Sequence, residues 1–133
     1  MNYLYAPDSV ANRKQVFDEI GKAMGDNNRL EMFKDIEGVS ARLRRFNHPE
    51  IIVMLSVGKQ DMANIVSISE LFRDAALIIM LSDEDPHTIA TALRLRPRFV
   101  GIMDRDSDKI VPIVKKLIRK KANSKHQYLN DNY

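Results

Sequence analysis

The chain has 133 residues, 44% of them apolar and 29% charged, with a formal net charge of +3 and no cysteine. That length fits one domain with a real core, since chains near ~150 residues bury roughly 70% of their unfolded surface. The composition excludes disulfides, a thiolate zinc site and a cysteine nucleophile; no apolar run reaches the ~18–20 residues of a membrane span, and the first residues lack a signal-peptide pattern. A cytoplasmic location without a membrane partner is expected.

Asn2 to Ala6 reads as a first strand leading into the turn Pro7-Asp8-Ser9. Val10, Phe17, Ile20 and Met24 then follow a helical period that Gly25 ends. Arg29 to Phe33 alternates polar and apolar residues as a half-buried edge strand does, and a second helix carries Ile36, Val39, Leu43 and Phe46 before Asn47-His48-Pro49. Glu50 to Val57 is strongly apolar, and Gly58 turns the chain into a helix from about Asp61 to Arg73. Ala75 to Leu81 is a second strongly apolar run, so these two strands are expected at the centre of a sheet buried on both faces.

The stretch from Ala75 to Asp104 organises the rest. Its first strand stops at Ser82-Asp83-Glu84-Asp85, where Asp85 before Pro86 is a helix-start signal. The helix ends near Arg96-Pro97, and Phe99 to Met103 follows as a strand ending in a second acidic turn, Asp104-Arg105-Asp106. This is one βαβ unit. A last helix begins near Ser107, where Pro112 must lie within the first turn or kink the axis. Beyond Arg119 the hydrophobic period is lost. The fold class expected is therefore α/β, a (βα)5 doubly wound, parallel five-stranded sheet of flavodoxin-like type, with any site beyond the C-terminal ends of its strands. Residues 1–121 form the domain and 122–133 a flexible polar tail.

In this order and spacing, and in the run LIIMLS followed by an acidic turn and a helix, the chain resembles the receiver domain of bacterial two-component response regulators over about residues 1–121. The resemblance implies an acidic pair after the first strand, a phosphate-accepting Asp ending the third, Thr or Ser ending the fourth, and Lys after the fifth. Here those places hold Asp8 alone, Ser56, Ser82, and Met103-Asp104. A serine hydroxyl is neutral and weakly nucleophilic without a base, one carboxylate makes a poor Mg²⁺ site, and the phosphoryl counter-charge is missing. The likeness is thus to a pseudo-receiver, with Asp8, Ser56, Ser82, Met103 and Asp104 lining a degenerate pocket. It implies a non-enzymatic signalling domain that acts by protein–protein contact without aspartyl phosphorylation.

In receivers the fourth helix, fifth strand and fifth helix form the partner-binding and dimerising face. The basic string Arg94, Arg96, Arg98 and the lysines and arginines of the last helix fall there, so Thr91, Arg94, Arg98, Lys115 and Arg119 are the expected contact residues for an acidic protein or a second copy. Nucleic acid fits less well, because no aromatic residues interleave the small basic patch. The alternative function is a small-ligand or divalent-cation-binding domain, or an enzyme, using acidic strand-end loops with Asp8 and Asp83 as metal candidates. The favoured reading makes Asp85 a helix cap and Asp8, Asp83 and Asp104 solvated loop acids, with no cofactor and no metal. Without a Gly-rich loop after the third strand there is no dinucleotide fingerprint or P-loop. His48, His87 and His126 lack metal-ligand spacing.

Overall fold

A computed structural model describes residues 1–26, 28–45 and 48–131, with side chains through Lys120. Five strands, β1 (Asn2–Tyr5), β2 (Leu30–Phe33), β3 (Ile51–Ser56), β4 (Ala76–Leu81) and β5 (Phe99–Ile102), form one sheet in the order β2-β1-β3-β4-β5. Every pairing is parallel. The helices between and after them are α1 (Arg13–Met24), α2 (Ile36–Arg45), α3 (Lys59–Ser67), α4 (Pro86–Leu93) and α5 (Ile110–Asp131). This is the expected doubly wound (βα)5 architecture, with β3 central, β4 beside it and β2 at one margin.

Side chains alternate across each strand, so the sheet separates two cores. One face packs Tyr5, Ile52, Met54 and Ile79 against Val39 and Leu43 of α2, Met62 and Ile65 of α3, and Ala92 of α4. The other packs Leu4, Val53, Leu55 and Met80 against Val16 and Ile20 of α1 and Ile110 and Val114 of α5. All six residues of β3 are buried, which explains its unbroken apolar run. At the N-terminal end of the sheet the buried Asn2 side chain joins three strands from β1: its Nδ2 donates to Arg29 O at 3.1 Å and its Oδ1 accepts from Ile51 N at 3.1 Å.

Several boundaries differ from the sequence expectation. Helix α1 starts at Arg13, with Val10 buried ahead of it. Helix α3 starts two residues before Asp61 and stops at Ser67, and a 3₁₀ turn, Ser69–Phe72, completes the path to β4. Phe46, expected on the apolar side of α2, lies outside the described residues. After β5 the chain makes a helical turn, Met103–Asp106, then a 3₁₀ turn, Ser107–Lys109, before α5 begins at Ile110. Pro112 is consequently in the first turn of α5, where its missing N–H leaves no bond unmade. The backbone of α5 stays helical to Asp131, through the segment read as a flexible tail. Lys, Ala, Gln and Leu there are good helix formers, so a helix can continue without an apolar stripe.

Candidate functional site

In a parallel sheet all strands end on one rim, and a ligand crevice forms where the strand order reverses. Here the reversal lies between β1 and β3, so Tyr5 to Asp8 and Ser56 to Gly58 flank the crevice. Gly58 holds φ +92°, a left-handed conformation that glycine adopts without a Cβ penalty, and α3 therefore begins at the next residue. This tight turn brings Asp61, the third residue of α3, back to the strand ends. Asp61 Oδ1 accepts from Tyr5 Oη at 2.5 Å, and Asp61 Oδ2 accepts from Val57 N at 2.9 Å. One carboxylate thus fastens the β3–α3 turn to the end of β1, at a helix N-terminus where negative charge is favoured.

Tyr5 is 3% exposed, and burial first, then the Asp61 hydrogen bond, push its phenol far above the ordinary value. The phenol therefore stays protonated near neutral pH and donates to Asp61. Asp61, which the sequence placed only near the start of the third helix, belongs to the crevice. Tyr5 was visible only as a strand residue.

Ser56 ends β3, where receivers carry the phosphate acceptor. It is 0% exposed, and its Oγ has no hydrogen-bond partner among the described residues. Its carbonyl accepts from Ser82 N at 3.1 Å, which ties the ends of β3 and β4 together. Ser82 is half-buried. The turn after it is organised by two acids: Asp83 Oδ1 accepts from Asp85 N at 3.0 Å, and Asp85 Oδ2 accepts from Thr88 N at 3.2 Å and Thr88 Oγ1 at 2.8 Å. Asp85 is thus the N-cap of α4 with Pro86 next, as the sequence signal required. The Thr88 hydroxyl, then its N–H and nearby Lys59 Nζ at 3.7 Å, hold the Asp85 carboxyl below its ordinary value.

Asp8, Asp83, Asp85 and Asp104 do not gather. The Asp8 side chain is 72% exposed and lies 3.7 Å from Arg13 Nη1, while Asp104 is exposed on its turn. Among the described residues no group of three or more histidines or acids could hold a metal ion. Met103 is half-buried and packs on the α1–α5 core.

The buried acid at this end of β5 is Asp106 instead, which sequence reading placed only as part of an acidic turn. It accepts from Ile102 N at 2.9 Å, Lys109 Nζ at 3.1 Å and Arg105 Nε at 3.3 Å. The Ile102 N–H first, then Lys109, hold its carboxyl below the usual range against the opposing effect of burial. Arg105 also pairs with Glu84, joining the β4–α4 loop to the turn after β5. Arg105 and Lys109, the cations of the two turns after β5, are thereby bonded to Asp106 and Glu84. Asp106 packs closely too: a Cβ on Gly101 would lie 2.7 Å from Phe99 Cε2, 2.9 Å from Asp106 Cβ and 3.0 Å from Met80 Cε.

Of the expected contact face, Arg94, Arg98, Lys115 and Arg119 are exposed, and half-buried Thr91 donates its hydroxyl to His87 O at 3.0 Å. Leu93 of α4 is 56% exposed. No helix among the described residues is long and apolar enough to cross a membrane.

No protein-family model matches the sequence, and no curated protein matches it. Solved structures do resemble it. A response-regulator receiver domain protein from Methanospirillum hungatei superposes with a TM-score of 0.70 at 9% identity, covering 92% of this chain and 97% of that one. A response regulator from Thermotoga maritima gives 0.63 at 16% identity, with 89% and 97% covered. A pilus assembly-related protein from Burkholderia pseudomallei gives 0.67 at 16% identity, with 90% of each chain covered. The chain has the receiver fold. In this chain that fold carries a buried serine at the end of β3 and a Tyr5–Asp61 bond across its crevice.

Proposed function

We propose that this chain is a receiver-like signalling domain that works by protein–protein contact and does not carry phosphate on an aspartate. The observation that supports this most is Ser56: a fully buried hydroxyl ends the strand from which a receiver would present its acceptor. Phosphoryl transfer needs an exposed nucleophile with an in-line approach, and a buried, neutral Ser56 supplies neither. The hydrogen bonds of Asp61 to Tyr5 and Val57, and of Arg105 and Lys109 to Asp106, support it further. They engage charged groups near the strand ends in bonds within the chain. Incubation with acetyl phosphate and Mg²⁺, followed by intact-mass measurement, is expected to leave the mass unchanged; a stoichiometric acid-labile adduct would overturn the proposal.

The contact face of this reading is α4, β5 and the first half of α5. Leu93 of α4 is exposed, as are Arg94, Arg98, Lys115 and Arg119, so this face offers an apolar contact together with positive charge, which suits an acidic partner or a second copy of the chain. A homodimer through this face is expected to sediment at twice the monomer mass. Substituting Arg98 and Arg119 by Glu together should shift it to monomer with an unchanged far-ultraviolet circular dichroism spectrum.

A further inference from the structure

The end of the molecule opposite the crevice holds a second concavity. The 3₁₀ turn Ser69–Phe72, the residues leading into β4 and the end of α4 enclose a cleft of about 400 Å³, within the range of small-molecule sites. Its apolar lining comes from Phe72, Ala75, Leu77 and Leu95, and its charged lining from Arg73, Arg94 and Arg96 against one carboxylate, Glu70. Glu70 lies 3.8 Å from Arg73 with both side chains largely exposed, a pair that water screens. Arg94 and Arg96 make no ion pair among the described residues. Three arginines against one glutamate leave a local excess of two positive charges around an apolar floor.

The backbone at Arg96 is a separate observation. With φ +54°, Arg96 is the one non-glycine residue in the left-handed region among those described. Its N–H donates to Leu93 O at 3.1 Å and closes the last turn after α4. Helices usually reach this conformation with glycine, or else asparagine. Pro97 disfavours the right-handed conformation at residue 96 but does not call for arginine there. A strained position that nonetheless carries a long cation on the wall of a cleft is an indication of use.

From this we infer that the cleft binds a small phosphate monoester with an apolar or aromatic body. Guanidinium forks match phosphate oxygens in pairs, a dianionic phosphoryl group balances the excess of two charges, and the floor of Phe72, Leu77 and Leu95 takes the apolar part. The site is separate from the crevice and does not depend on whether the chain is phosphorylated.

Titration of the ¹⁵N-labelled full chain with phenyl phosphate, and in parallel with inorganic phosphate and phenol, tests this. Phenyl phosphate is expected to move the amides of residues 69–75, 94–96 and 98, and to bind about tenfold more tightly than inorganic phosphate, the ratio that burying part of one ring supplies. Arg96→Gly relieves the backbone, so it should melt no lower than the parent, yet bind phenyl phosphate at least fivefold more weakly; Arg94→Lys, which keeps the charge and loses the fork, should also weaken binding. Absent shifts at saturating ligand, shifts centred elsewhere, equal affinity for both phosphates, or undiminished binding by Arg96→Gly would each overturn the inference.

Discussion

Ser56→Ala is expected to stabilise the fold, although it removes a polar group from the rim where the fold's ligands usually bind. Ser56 is fully buried and its Oγ is without a partner among the described residues. A buried hydroxyl left unbonded costs roughly 1–3 kcal/mol. Deleting one oxygen also forfeits a few contacts of ~0.1–0.2 kcal/mol each, an offset of roughly 0.5 kcal/mol. The net gain is about 1 kcal/mol, which for a domain of this size raises the melting temperature by roughly 3–5 °C. Urea midpoints at unchanged m-value, with calorimetry beside them, measure it. A loss of about 1 kcal/mol or more would refute the reasoning, because it would mean that the hydroxyl is bonded in solution and the crevice open to water. Ser56→Asp, which puts a carboxyl at the same buried place, is the companion. Burial raises the folded pKa of such a carboxyl, so stability should fall as pH climbs from the unfolded value of about 3.9 toward the raised folded value.

Gly101→Ala should lower stability by about 1–3 kcal/mol, since the added methyl meets Phe99, Asp106 and Met80 at 2.7–3.0 Å; a denaturant midpoint decides it. Tyr5→Phe deletes the donor to Asp61 while Val57 N still bonds that carboxylate, so a loss of about 1 kcal/mol is expected, with faster amide exchange at Val57. Asp106 has a folded pKa below its unfolded one, so its contribution is present above about pH 4 and is lost as pH falls through the lowered value. Asp106→Asn should therefore be less stable than the parent at neutral pH and show a flatter decline in acid, followed by circular dichroism.

The layered architecture was legible because its signals are local. The apolar runs of β3 and β4 announce strands covered on both faces, and Asp85 before Pro86 fixes where α4 begins. The crevice was less legible. Asp61 sits five residues past Ser56, a distance that suggests separation; only the left-handed turn at Gly58 and the early start of α3 fold it back onto Tyr5. Asp106 is one of two acids in its turn, and nothing in Asp104-Arg105-Asp106 says which is buried; the helical turn Met103–Asp106 decides that by carrying the second onto Ile102 N. Ser56 was legible at the end of an apolar run, whereas the burial of its hydroxyl was not. Arg96 was legible as charge but not as a backbone outlier, because a left-handed φ is a property of the closed turn.

The two outermost strands, β2 and β5, are only four residues long, against six for β3 and β4. Few backbone groups are thus offered sideways to another chain, and a foreign ribbon laid along either margin would gain little before running out of template. A domain so trimmed resists growth by strand addition.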